Sequence, residues 1–295
     1  MIAAFENWPP AAAVYRANFL DHPVLTQDLS DTAATLELIR ELAPDLIVGG
    51  PPCQDFSSAG KRDESLGRAD LTIKFAQLVE AYRPAYFLME NVARAAKSNA
   101  FREALGIFIR AGYGLTIQVL DAAYCGAPQL RKRLIVIGSK VDSDGFLDAA
   151  LLNNLRAHPL TLREHFGDQL AFEHYYRHPR SYVRRGVFSV DEPSPTIRGV
   201  NRPIPKGYPG HPGDSTAVSD ALRPLTTRER ALIQTFPPQF ALPGSKTDVE
   251  QVIGNAVPVA LAAYVATHLR QHIRQTTDGN WRLSSRTSGQ ESQVA

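Results

Sequence analysis

Cys53 stands in Gly49-Gly50-Pro51-Pro52-Cys53-Gln54, directly after the apolar run Leu46-Ile47-Val48. The run reads as a buried strand, and the loop after such a strand lies at the sheet edge where open α/β enzymes assemble their sites. A second apolar run, Tyr86-Phe87-Leu88-Met89, delivers Glu90-Asn91-Val92 to the same edge. A third segment, Gln129-Leu130-Arg131-Lys132-Arg133, brings two guanidinium groups to the start of another strand. A thiol and a carboxyl on adjacent strand ends suit nucleophilic attack on an electron-poor ring. The carboxyl donates a proton across the ring, and a cation stabilises the charge that builds there.

Blander readings stand beside these. Glu90 could be a satisfied structural carboxylate, but its place at a strand's C-terminal end favours chemistry. Asn91 is expected to hold the loop by hydrogen bonds. Alternation puts Arg131 and Arg133 on one side, so they share one task or one plain surface. Cys125, the other cysteine, reads as inert packing.

Strand and helix alternate to position these groups over residues 2–138. Strands are predicted at Ile2–Phe5, Leu46–Val48, Tyr86–Met89, Leu115–Leu120 and Leu134–Gly138, with a weaker one at Val24-Leu25. Pro9-Pro10 opens a helix through Asn18, Asp31 caps one to Leu42, and Leu71, Phe75, Leu78, Val79 and Tyr82 line another that stops before Pro84. Gly112 closes the next helix. The alternation predicts a mostly parallel sheet covered by helices. From 140 to 222 periodicity fades and aromatics, arginines, prolines and glycines dominate. Thr226-Thr227-Arg228-Glu229 is a capping box, and Val257, Leu261, Val265 and Leu269 mark the face of a last helix. The polar tail from Thr276 is expected to be disordered.

Composition sets wide bounds. The 295 residues suffice for one large domain with an insert, or for two domains. A net charge of +2 declares no global field, so any anionic partner must be met by a local basic patch. Two cysteines make neither a disulfide framework nor a metal pair, so no metal is expected and a reducing cytoplasm is. No signal peptide is read, and no apolar run approaches the ~20 residues of a membrane span.

Five ordered motifs carry a resemblance. Pro52-Cys53-Gln54, Glu90-Asn91-Val92, Gln129-x-Arg131-x-Arg133, Arg223-Pro-Leu-Thr-x-Arg228-Glu229 with Phe236-Pro237, and Gly254-Asn255-Ala256-Val257-Pro258 together resemble the cytosine-5 DNA methyltransferases. The likeness runs from about residue 3 to 270. It implies a Rossmann-like α/β methyltransferase fold over 1–139, a target-recognition domain at 140–222, a segment at 223–275 packing back on the catalytic domain, and the tail at 276–295. It implies S-adenosylmethionine as methyl donor and double-stranded DNA as partner, with the enzyme a monomer on DNA. Cys53 would add to C6 of a flipped-out cytosine, Glu90 would protonate N3, and Arg131 and Arg133 would face O2. Glu6, Asp28, Pro52 and Asn255 stand where the family holds the donor; a helix cap is the competing reading of Asp28.

Recognition of DNA is expected at 140–222. Arg177, Arg180, Arg184, Arg185, Arg198, Arg202 and Lys206 face only Asp191 and Glu192, with Tyr175, Tyr176, Tyr182 and Phe188 interleaved. Such a mixture suits phosphate neutralisation and base contact, and a solvated basic face is the alternative. Thr196-Ile197 resembles the Thr-containing pair of the family's recognition region.

One departure stands out. The family opens with a strand and a Phe-x-Gly-x-Gly turn around the donor's methionine end, and this sequence starts at the strand of Glu6. The absent strand should be central in the sheet. A misplaced start, a separate subunit supplying the piece, or a degenerate gene would each account for it, and the intact catalytic motifs favour the first. The compact length suits a bacterial restriction–modification system. A tRNA cytosine methyltransferase and a catalytically impaired DNA-binding remnant are the rival readings.

Overall fold

A computed structural model describes residues 1–51, 70–179, 181 and 183–287, the side chains of residues 70 and 277–287 excepted. Its first part alternates as the sequence predicts: β1 (Ala4–Phe5), α1 (Pro9–Asn18), β2 (Val24–Leu25), α2 (Thr32–Leu42), β3 (Leu46–Gly49), α3 (Asp70–Tyr82), β4 (Tyr86–Val92), α4 (Asn99–Arg110) and β5 (Gly114–Asp121). Local chemistry fixes the helix starts. Prolines fill the first positions of α1, the Asp31 side chain accepts Ala34 N–H at the start of α2, and Ser98 Oγ accepts Phe101 N–H at the start of α4. There follow β6 (Gln129–Leu130), β7 (Lys132–Ser139), α5 (Asp148–Asn153), α6 (Leu162–Phe166), β8 (His174–Tyr176), β9 (Val187–Ser189), β10 (Ser194–Pro195), α7 (Thr227–Ile233), α8 (Lys246–Asn255) and α9 (Val259–Thr287).

The central sheet runs β3-β4-β7-β5. It is mixed rather than mostly parallel. β3 and β4 are parallel, but β7 is antiparallel to both β4 and β5. The reason lies in the connection. Residues 122–131 hold no crossover helix of the length a parallel return needs, so the chain comes back antiparallel. β1 and β2 form a separate parallel pair.

Two apolar clusters sandwich the sheet. On one face α3 and α4 bring Phe75, Val79, Phe101 and Phe108 against Phe87, Met89, Leu134 and Val136. Here Gly49 matters, because a Cβ at that position would stand 2.4 Å from the Phe75 ring. On the other face Leu261, Val265 and Leu269 of α9 meet Leu120, Ile135 and Ile137, joined by Leu147 and Leu151. Residues 147–151 therefore pack with the catalytic sheet, inside the stretch expected for recognition. A third cluster joins Leu162, Tyr175, Phe188 and Ile197 to Leu225, Ile233, Val249 and Ile253, so the recognition stretch shares its core with α7 and α8.

Three further expectations change. Tyr175, Tyr176 and Phe188 are buried core residues, because the β8–β9 hairpin turns them inward, and they line no surface. The backbone of α9 is helical through Thr287, where disorder was expected from Thr276. Within Lys246–Thr276 one 18-residue window reaches a mean hydropathy of 1.5, apolar enough by composition to cross a membrane. Its residues Leu261, Val265 and Leu269 are packed on the sheet instead.

Candidate active site

β3 and β4 run side by side with Gly49 opposite Met89, so the chain leaving β3 starts beside Glu90. A Cβ at Gly50 would lie 3.3 Å from Glu90 Oε2. Asn91 Nδ2 donates to Pro51 O at 3.4 Å, and Asn91 Oδ1 accepts Val92 N–H at 2.8 Å. Asn91 thus holds the entry to the loop, the role expected of it. Pro52 and Cys53 lie outside the described residues.

Arg133 reaches Glu90 from β7. Val92 faces Arg133 across the antiparallel pair, which places Glu90 one diagonal step away on the same face. Arg133 Nε lies 2.7 Å from Glu90 Oε1, and the two side chains are only 12% and 16% exposed. Two opposed effects act on the carboxyl. Burial raises its pKa, while the charges of Arg133 and Arg131 and the Arg133 hydrogen bond lower it; burial wins, and the pKa lies above the ordinary glutamate value. Glu90 can therefore carry a proton at a pH where an exposed glutamate would not.

Arg131 parts company with Arg133. Its backbone N–H donates to Asp121 Oδ1 and its carbonyl accepts Ala122 N–H, at a break between β6 and β7. Strict alternation fails at this break. The Arg131 side chain is buried and donates to the carbonyls of Ile197, Gly254 and Ala256, so the two arginines do not share one task.

The residues expected at the methyl donor occupy two places. Glu6 follows β1 and Asp28 follows β2, at the same end of two parallel strands. Glu6 Oε1 accepts Trp8 N–H at 2.8 Å. Asp28 accepts Ser30 N–H at 2.8 Å, which lowers its pKa. The cap of α2 is Asp31, so Asp28 does not serve as the cap. Asn255 ends α8, is exposed, and accepts from Gln251 at 3.1 Å. Carboxylates on adjacent strand ends suit the hydroxyl and amino donors of a nucleoside.

The basic residues divide. Arg185 pairs with Glu192 and lies 4.3 Å over the Phe188 ring. Arg177 donates to Thr196 O at 2.9 Å and Arg198 to His178 O. These three brace the recognition stretch. Arg184, Arg202 and Lys206 are exposed, and Arg180 and Tyr182 lie outside the described residues. Thr196 Oγ1 donates to Leu130 O at 2.7 Å, tying the recognition stretch to β6.

Sequence reasoning passed over a buried polar lattice. Gln129 Nε2 donates to Gln234 Oε1 at 2.8 Å, and Arg230 forms a buried ion pair with Glu250, which also accepts from Thr227 and Asn201. These partners lie far apart in the chain, and no local spacing signals them.

The profile of the C-5 cytosine-specific DNA methylases matches residues 1–161 and 152–271. The chain is 55% identical over 266 residues to Type II methyltransferase M.HindV of Haemophilus influenzae, covering 90% of this chain and 87% of that protein. It is 54% identical over 275 residues to Type II methyltransferase M.HgiDI of Herpetosiphon aurantiacus, covering 93% and 88%. Among solved structures it is similar to the S. pombe Dnmt2 methyltransferase, with TM-score 0.67, 17% identity and coverage of 92% and 91%. At that identity the likeness speaks for the fold alone.

Proposed function

The chain belongs to the C-5 cytosine-specific DNA methylases, and from that premise we propose that it methylates C5 of a cytosine flipped out of a specific DNA duplex, within a bacterial restriction–modification system. Relatives above 50% identity are Type II methyltransferases, which supports DNA over tRNA as substrate. It works in the cytoplasm as a monomer on its DNA.

The single observation that carries the reading is the buried Glu90–Arg133 pair beside Gly50, with the Glu90 pKa raised. Cytosine C5 is a poor nucleophile while the ring is aromatic. Addition of the Cys53 thiolate to C6 breaks the aromaticity and moves charge toward N3, O2 and C5. Protonated Glu90 donates at N3, and Arg133 both orients Glu90 and offers a cation to O2. Bound S-adenosylmethionine would supply the electrophilic methyl to C5 and leave as S-adenosylhomocysteine. Loss of the C5 proton to solvent base, expulsion of the Cys53 thiolate and return of the N3 proton to Glu90 restore the ring. Flipping the base costs a few kcal/mol, offset by contacts in the pocket. Glu6, Asp28, Pro52 and Asn255 would hold the donor. Arg184 and its exposed neighbours would contact phosphate.

The test is transfer of a labelled methyl to duplex DNA or tRNA, with digestion to nucleosides. We expect 5-methylcytosine from DNA. Label confined to tRNA, or to another base, overturns the proposal.

A further inference from the structure

We infer that Arg131 is a positioning residue, which locks the recognition stretch and the end of α8 onto the catalytic strand and does not touch the base. The residue is 2% exposed. Nη1 donates to Ile197 O at 2.8 Å, and Nη2 donates to Gly254 O at 2.8 Å and Ala256 O at 2.9 Å. One guanidinium therefore holds two segments that lie far apart in the chain.

Neighbouring contacts make these bonds a single device. Gln129 Oε1 accepts Ile197 N–H at 2.8 Å, so both backbone groups of Ile197 are fixed by residues within two positions of Arg131. Gln234, bonded to Gln129, donates to Ile253 O at 2.5 Å and Ala256 O at 3.1 Å. At the end of α8 Ile253 O accepts from Gln234 and Gly254 O from Arg131, and a buried cation there complements the helix dipole. The two segments cross in backbone contact: a Cβ on Gly254 would lie 2.1 Å from Gly199 N. Asn255, the last residue of α8, sits between Gly254 and Ala256, whose carbonyls Arg131 holds. Arg133, the partner of Glu90, follows two residues later.

The arrangement links three jobs. Movement of Ile197–Gly199 would carry the loop of Asn255 with it and strain the start of β7. A planar fork with several donors can serve three spread carbonyls, which a lysine ammonium cannot do in the same way. The kinetic consequence rests on the proposed methyl transfer; the structural claim does not.

The test uses Arg131→Gln, Arg131→Lys and, as contrast, Arg133→Gln in the full chain. Amide hydrogen exchange is followed by mass spectrometry. In Arg131→Gln we expect exchange to rise about tenfold or more in peptides covering 196–199 and 253–257 together, the scale for losing charged hydrogen bonds to a segment. Peptides from β4 and the middle of β7 should stay as in wild type. Arg131→Lys, which keeps the charge and is the milder change for folding, should show the same pattern at smaller amplitude. Arg133→Gln should leave both segments protected. In turnover, Arg131→Gln should raise donor KM more than it lowers kcat, and Arg133→Gln should do the reverse. The inference is overturned if either segment keeps wild-type exchange in both Arg131 variants, if β4 loosens equally, or if Arg131→Gln lowers kcat alone. Exchange needs no turnover, so failure of methyl transfer by the wild type would sink the proposed function and leave this inference to be judged on exchange.

Discussion

Arg133 Nε meets Glu90 Oε1 at 2.7 Å across the antiparallel pair of β4 and β7, and the carboxyl is nonetheless held above its ordinary pKa by burial. A cation that close would by itself keep the group ionised. With burial prevailing and Arg133 fixing its orientation, Glu90 would serve as the proton donor that the proposed charge at N3 requires.

Glu90→Gln should therefore slow single-turnover methyl transfer by about 10²–10⁴, the worth of a positioned acid. The amide keeps the shape and can hydrogen-bond, but supplies no proton. The sign of the pH dependence follows from the raised pKa. The wild-type rate should fall as pH rises through the Glu90 value and the acid is lost, and Glu90→Gln should lack that limb. The folded protein also binds this proton more tightly than the unfolded chain, so Glu90 adds stability at low pH that fades as pH rises through its folded value. An unchanged rate in Glu90→Gln would make the residue structural.

Cys53→Ala should abolish transfer and leave duplex affinity largely intact, because the thiol acts after the base has flipped. A duplex with 5-fluorocytosine at the target should trap a covalent adduct with wild type alone, since fluorine cannot leave as the C5 proton does. Denaturing electrophoresis reads the adduct. Its appearance with Cys53→Ala would reject the nucleophile.

The basic stretch yields two different outcomes. Arg184→Ala and Arg202→Ala, both exposed, should each flatten the salt dependence of DNA binding by about one phosphate contact. Arg185→Ala should instead lower Tm, because it removes a partner of Glu192 and the cation over Phe188. Equal salt slopes for wild type and the two exposed variants would reduce the stretch to a solvated face. Thr196 changes should alter which sequence is methylated, since its hydroxyl anchors the recognition stretch to Leu130.

How far the sequence could be read follows from the range of each signal. Helix starts and β-runs were legible because caps, prolines and period are local: Asp31 caps α2 and Thr226 with Glu229 forms a capping box, as spacing predicts. Glu90 and Asn91 lie in the last three residues of β4, which runs three residues beyond the predicted strand, so their neighbourhood was legible because a strand is a local signal. The reversal of β7 was not legible, since it depends on what a short return loop permits. Nor was the division of Arg131 from Arg133, because a one-residue break in the strand turned alternation into a false guide. The aromatics of the recognition stretch misled for a related reason: composition shows that Tyr175 and Phe188 are present but not that a hairpin turns them inward.

Breaking the buried clasp should be costly. Arg230 and Glu250 are 4% and 5% exposed, and Glu250 also accepts from Thr227 and Asn201. Burial lowers the Arg230 pKa against the pull of Glu250. Glu250→Gln leaves the guanidinium buried without its counter-charge, and should destabilise by about 3–5 kcal/mol. Denaturant unfolding with an unchanged m-value checks it. A loss within ~0.5 kcal/mol, the range of ordinary surface changes, would show the pair to be dispensable.

The sheet offers one further point of attack. Among the described residues β1 pairs only with β2 and β3 only with β4, each in parallel, and no strand joins β1 to β3. Leu46 and Val48 on β3 are 37% and 58% exposed. Parallel strands normally lie buried on both faces, and an exposed apolar edge accepts another strand. The family pattern puts a strand and a glycine turn beside the strand of Glu6, at the donor's methionine end. A segment of about 10–20 residues with that pattern, at ~3.3 Å per strand residue, is long enough to fill one such place. Added as a separate peptide, it should tighten S-adenosylmethionine binding by about tenfold or more. It should raise the transfer rate by on the order of 100-fold, the penalty for an ångström of misplacement at the methyl. It should also protect the amides of β3 from exchange. Calorimetry with and without the segment decides the matter. Equal affinity in both, or unchanged exchange at Leu46–Gly49, would mean that this edge takes no strand.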